Sequence, residues 1–288
     1  MAFFIENLGM FELFKSGMFF YYMLDYTTYW YLLPLGILIA TLYNSTGISG
    51  ANFWIPVFIL VMKVSLLVAF WLSLVAMLFG SLGGLIGHSR QGTIVYSLVK
   101  KYILITIPCA VVGACSLDYV NETWLLLIFG AFALVYGLVM LLNSTLLQPA
   151  TPEASHRRKA AIQYPQGALG GFLVGIVSVG LGPLILPYNI NHREVSHHAQ
   201  AIGTTVIIVF LSSLSAVLCR LTPSFTASLQ QNIPTIMSMF IYVIPGVLIG
   251  GQIGPVIAKK LNLKAMRIYV SVLLLIVGGL MFVRFFES

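Results

Sequence analysis

The chain has 288 residues, of which 59% are hydrophobic and only 8% charged, where soluble domains carry about 25% charged residues. So few charges cannot coat a soluble protein of this size, which excludes an ordinary soluble enzyme and a disordered chain. The net charge of +7 sits in short basic clusters between long apolar runs, the pattern of a multi-pass membrane protein rather than of a nucleic-acid binder.

Residues 1–30 are dense in Phe and Tyr and carry Glu6 and Glu12 without a basic leading region, so they do not read as a cleavable signal peptide. They predict an amphipathic segment at the membrane interface, with a short extra span as the alternative. The uncharged stretch 26–62 is too long for one straight span and breaks at Asn44-Ser45-Thr46-Gly47-Ile48-Ser49-Gly50-Ala51-Asn52, ahead of Pro56. Spans follow at 64–87, 99–117 and 123–143, each near the roughly 20 residues that cross about 30 Å of hydrocarbon. Residues 144–163 are the most polar stretch and predict a cytoplasmic linker loop. The stretch 160–192 breaks again, at Gly175-Ile176-Val177-Ser178-Val179-Gly180-Leu181-Gly182-Pro183, ahead of Pro187. Spans at 198–219, 235–258 and 265–284 complete the chain. Cys109, Cys115 and Cys219 lie in apolar runs and read as small buried residues, not as a disulfide framework or zinc site.

The two breaks correspond. An offset of 131 residues lays Gly36 on Gly167, Pro56 on Pro187, Val64-Ser65 on Val195-Ser196 and Ser81 on Ser212. An offset of 137 lays Pro108 and Gly113 on Pro245 and Gly250. The fold expected is therefore an all-α polytopic membrane protein of two homologous repeats, 31–143 and 164–288. Each holds a broken, re-entrant helical segment followed by three spans. If each broken segment returns to its own side, the repeats are inverted. The basic clusters Arg90/Lys100/Lys101, Arg157/Arg158/Lys159 and Lys259/Lys260/Lys264/Arg267 then share one face, the cytoplasmic one.

Matching interrupted helices in two halves point to a transporter's substrate site. A half-helix that starts in mid-membrane presents free N–H groups and about half a positive charge. An anion can bind there without a fixed cation, and glycines let its oxygens approach the backbone. The half-helices are expected to start near Ala51 and Pro183. Candidate binding residues are Ser49, Gly50, Ala51 and Asn52 in the first break and Ser178, Gly180 and Gly182 in the second. Ser73 and Thr204 correspond under the 131 offset and offer further hydroxyls. Either of these could instead bond its own helix backbone.

The pattern of a Gly/Ser-rich break, a Pro and a helix opening with Ala and Thr or Ser resembles the TauE/SafE sulfite exporter family. It is clearest in GGFLVGIVSVGLGPLILPYNI, in HAQAIGTTVIIVFLSSLSAVL and in the last two spans. The resemblance covers about 31 to 285. It implies a carrier of small sulfur-containing anions, such as sulfite or organosulfonates, in a bacterial inner membrane. The first copy departs from the family's glycine triplet, having Ala51-Asn52-Phe53.

The segment Asn191–His198 holds three of the five histidines. It reads as an interfacial loop with Arg193 paired to Glu194, as an anion vestibule using Arg193, or as a proton relay. Its spacing matches no standard zinc signature. No metal, cofactor or nucleotide site is expected. The function expected is a secondary transporter, in the exporting direction, of a small sulfur-containing anion. It would work by alternating access, with the bilayer and the anion as partners and a homodimer as a further expectation. The alternatives are an anion-selective channel and, with the nucleophile-elbow spacing missing around Ser178, an intramembrane hydrolase.

Overall fold

The structure, a computed structural model, describes residues 28–145, 164–222, 229, 233–258 and 263–287. The expected N-terminal segment, up to residue 27, and the linker from 146 to 163 lie outside the described residues. Among the described residues ten α-helices carry the fold: α1 Leu32–Thr46, α2 Ala51–Pro56, α3 Leu66–Arg90, α4 Tyr96–Cys115, α5 Glu122–Thr145, α6 Tyr164–Val177, α7 Leu181–Ile190, α8 His198–Cys219, α9 Ile233–Ala258 and α10 Leu263–Glu287. No strand occurs among the described residues. Six helices, α3, α4, α5, α8, α9 and α10, are long and apolar enough to cross a membrane. This is a multi-pass helical membrane protein.

The other four helices are the two expected broken segments. α1 has 15 residues and α6 has 14, so at about 1.5 Å per residue each runs only some 20 Å. α1 stops because Gly47 adopts φ 72, its N–H closing on Tyr43 O at 2.8 Å. α6 stops at the equivalent position, where Ser178 adopts φ 67 and donates its N–H to Val174 O at 3.1 Å. α2 loses its α-helical register after Pro56, which has no N–H to donate, and continues as a π-helical turn over Val57–Val61. α7 starts at Leu181, two residues before the expected Pro183, because Gly180 makes the turn at φ 107.

Packing between the halves is reciprocal. α1 lies along α9, and its equivalent α6 lies along α4. Small residues permit both approaches. A Cβ on Gly246 would sit 2.5 Å from Leu33 O, and one on Gly250 would sit 2.2 Å from Ile37 O. In the other pair a Cβ on Gly171 would sit 2.5 Å from Thr106 O, and one on Gly175 2.2 Å from Ala110 O. The equivalent helices α3 and α8 run antiparallel, for His88 near the end of α3 meets Gly203 near the start of α8. α5 and α10 do the same: Gly130 faces Met281 and Phe282, and Gly137 faces Ser271 and Leu274. α4 and α8 run side by side, joined by Ser212 Oγ donating to Thr106 Oγ1 at 2.9 Å. Cys115, expected to be buried, is exposed at the end of α4, where its thiol interacts with that of Cys219 at the end of α8.

A branched side chain at Gly250 would be forced into the carbonyl of Ile37, whereas Gly279 has nothing within 4 Å of its Cβ position. Gly250→Val is expected to cost about 1–3 kcal/mol or more and to lower the thermal unfolding midpoint by several degrees. Gly279→Ala should leave it unchanged or slightly raised. Unfolding of purified protein in detergent, followed by tryptophan fluorescence, measures both.

Candidate functional site

The two breaks meet. Ser49 Oγ lies 3.5 Å from Ser178 O. A Cβ on Gly182 would lie 2.5 Å from Gly47 O and 3.4 Å from Ser49 N. The starts of α2 and α7 are thus brought to one place from opposite halves. At that place backbone donors are left over. The amides of Ser49, Gly50 and Ala51, and of Val179, Gly180, Leu181 and Gly182, find no acceptor among the described residues. Each half-helix adds the partial positive charge of its N-terminus.

Side chains extend this donor surface. Asn52 is fully buried, and neither its Nδ2 nor its Oδ1 has a partner. An unpaired buried amide costs about 1–3 kcal/mol, so this carboxamide is suited to a guest that completes it. Ser49 Oγ sits 3.1 Å from Met77 Sδ. Trp54, next along α2, is fully buried with its Nε1 unpartnered, and its ring stacks on Phe58 at 5.3 Å.

The second break also holds a cation. Arg220, one residue past α8, is 3% exposed. Its Nε donates to Gly175 O at 3.0 Å, Nη2 donates to the same carbonyl, and Nη1 donates to Ser178 Oγ at 3.1 Å. Ser178 Oγ in turn donates to Phe70 O at 2.9 Å. These bonds hold Ser178 in the left-handed region, where a non-glycine residue stores about 1–3 kcal/mol of strain. The first half has a counterpart. Asn44 matches Gly175 under the 131 offset, and Asn44 O receives Nε2 of the buried His88 at 3.3 Å. Nδ1 of His88 lies 2.8 Å from Thr93 Oγ1.

Of the residues singled out from sequence, Ser49, Gly50, Ala51, Asn52, Ser178, Gly180 and Gly182 come together at the touching breaks. Three do not. Ser73 Oγ donates to Ala69 O of its own helix at 2.7 Å. Thr204 Oγ1 accepts the N–H of Val95 at 3.0 Å, tying α8 to the start of α4. Arg193 is exposed and does not pair with Glu194. Glu194 instead accepts from Ser97 Oγ and from Lys101 Nζ, the latter at 3.1 Å. The Ser97 hydroxyl first, then Lys101, holds its carboxyl below the usual carboxylate range. His192 accepts the Glu194 N–H, and burial pushes its imidazole below its ordinary pKa. His197 caps α8 by accepting from Gln200 N. Among the described residues no group of three His, Cys, Asp or Glu is placed to hold a metal ion.

Arg220 and His88 were missed by sequence reasoning. The available signal was that Arg220 follows a long apolar span yet belongs to none of the three basic clusters.

The family model described as "Sulfite exporter TauE/SafE" matches residues 32–281. Among curated proteins, the chain is similar to "Probable membrane transporter protein YunE" of Bacillus subtilis (strain 168), at 21% identity over 268 residues, covering 86% of this chain and 94% of that protein. It is also similar to "Probable membrane transporter protein YjnA" of the same organism, at 27% identity over 246 residues, covering 78% and 89% respectively. No solved structure gives a significant match.

Ser178 needs its hydroxyl to offset its backbone. Ser178→Ala removes both side-chain bonds and keeps a Cβ at positive φ, while Ser178→Gly removes the bonds and the strain together. The alanine variant should therefore be the less stable of the two, by about 1 kcal/mol, in denaturant or thermal unfolding.

Proposed function

The chain belongs to the TauE/SafE sulfite exporter family, and from that premise we propose that it is a secondary transporter, in the exporting direction, of a small sulfur-containing oxyanion such as sulfite or an organosulfonate. The family makes it a membrane transporter. The cargo, the direction and the mechanism are our reading of the site. One observation carries it: two touching breaks, from opposite halves, leave their amide hydrogens without acceptors beside the unpartnered carboxamide of Asn52. A small oxyanion has the size, the charge and the several acceptor lone pairs to satisfy such a cluster.

The halves act as inverted repeats around this point, near the bilayer midplane, and expose it to each side in turn. The antiparallel runs of α3 against α8 and of α5 against α10 favour this arrangement, as does the clustering of basic residues in three of the loops. The membrane is the bacterial plasma membrane, and the basic loops face the cytoplasm. A channel would share the breaks but would conduct without alternating states. Hydrolysis is disfavoured by the surroundings of Ser178, whose hydroxyl meets a carbonyl and a guanidinium rather than an imidazole base.

Purified protein in liposomes should take up radiolabelled sulfite saturably. Ohmic single-channel currents would replace the carrier with a channel. Sulfite should also raise the unfolding midpoint by mass action. Asn52→Leu should weaken that binding by on the order of tenfold or more, as expected for loss of a hydrogen bond to a charged group. Gly182→Ala, which forces a methyl toward Gly47 O, should weaken it as well. Undiminished affinity in both would mean that the glycines only serve helix packing. Single cysteines in the 87–101 and 259–267 loops should be labelled from the same membrane face, and labelling from opposite faces would end the inverted arrangement.

A further inference from the structure

We infer that Arg220 is an anion-binding residue: its guanidinium supplies a counter-charge for the oxyanion cargo. The inference rests on the transport reading above and deepens it. A buried guanidinium is costly unless an anion offsets it. No described carboxylate lies within ion-pair distance of Arg220, and no charged side chain among the described residues acts on it. A long basic side chain at the end of a span ordinarily extends outward to the interface. Arg220 instead turns back into the bundle, to the last turn of α6 and to the break itself.

The competing role is a cap. Arg220 does satisfy Gly175 O at the end of α6, where basic side chains are favoured by the helix dipole. The first half argues that this role does not require the charge. There the equivalent carbonyl, Asn44 O, is met by the single N–H of His88, an imidazole that needs no positive charge to donate it. Capping in this fold can therefore be done by one side-chain N–H. Arg220 brings five N–H groups, of which three are engaged. One N–H on each Nη remains without an acceptor among the described residues. Charged donors of this kind suit the oxygens of an oxyanion. They lie beside Ser178, whose carbonyl is met by Ser49 of the other break. A fixed positive charge in a low-dielectric site offsets the charge of a bound oxyanion, beside the partial charges of the two half-helix N-termini.

The test exchanges the two halves' solutions. Arg220→His keeps an N–H able to meet Gly175 O but makes the charge titratable near pH 6.5. The titratable side chains beside this residue are the thiols of Cys219, its neighbour in the chain, and of Cys115, which interacts with Cys219. Methanesulfonate is the probe, because its own charge stays constant from pH 5.5 to 8. Wild-type affinity, from thermal shift and isothermal titration, should vary little over that range. Arg220→His should bind on the order of ten- to a hundredfold more weakly at pH 8 and recover most of the loss at pH 5.5. Arg220→Lys, which keeps a charge without the fork, should fall between wild type and Arg220→His at pH 8. An Arg220→His variant that folds and binds as tightly as wild type at pH 8 overturns the counter-charge role, as does a loss that does not recover at low pH while Arg220→Lys binds normally. If wild type binds neither methanesulfonate nor sulfite, the transport reading fails first, and the two failures are thereby distinguished.

Discussion

Everything in this fold answers to one constraint. Backbone N–H and C=O groups have no water to bond inside a bilayer, so a break in a helix is tolerated only where protein or a guest satisfies it. Two breaks in one small protein double the difficulty. At the carbonyl ends, Gly175 O and Asn44 O each receive a side-chain donor from the far end of a crossing helix. The amide ends are left open. The seven open amides, gathered at two half-helix N-termini, give the site its sign. A negatively charged guest is the natural complement.

The two halves reach this state by different local means, and the differences are informative. At the left-handed position the first half uses Gly47, which bears φ 72 without strain, and the second uses Ser178, which needs two hydrogen bonds to stay there. At the start of the returning half-helix the first half has Asn52, with two side-chain polar atoms free. The second has Pro183 at the matching place, which removes even the backbone N–H. The lost donor in the second half is compensated by Arg220, close to Ser178 in space though distant in sequence. Under the proposed function, one side of the guest would meet neutral amides and the other a charge.

The architecture was legible in the sequence to the extent that it is set by local chemistry. Six spans and two breaks follow from apolar runs interrupted by Gly, Ser and Pro. The offset of 131 lays Gly47 on Ser178 and Asn44 on Gly175, positions that prove structurally equivalent. That the two breaks converge was legible for the same reason, and the seven break residues lie where they touch. What failed depends on side-chain direction and long-range pairing. Ser73 and Thr204 lie at matching positions, yet one hydroxyl turns to its own helix and the other to Val95 N of α4. Glu194 has a basic neighbour in sequence, Arg193, but finds Lys101 across the bundle. Arg220 was missed because sequence shows where a chain leaves the membrane and not which way a seven-atom side chain then turns.

The reciprocal packing gives the site a route to movement. The reaching residues come from the distal ends of the crossing helices: His88 from the last turn of α3 and Arg220 from just past α8. Each ties its crossing helix to the inner end of a half-helix. Each half-helix in turn rests on a span of the other repeat through glycine contacts with almost no side-chain volume between backbones. Such surfaces can slide or rock with little repacking, while interlocked large side chains cannot. Displacing α8 relative to α6 strains the bonds of Arg220 to Gly175 O and Ser178 Oγ, and displacing α3 relative to α1 strains the bond of His88 to Asn44 O. Under the inverted arrangement these two ties lie on opposite sides of the guest, so loosening one while keeping the other is the minimal change that exposes the site to a single side. If the guanidinium holds the guest as proposed, the guest's charge competes directly with one of those two ties.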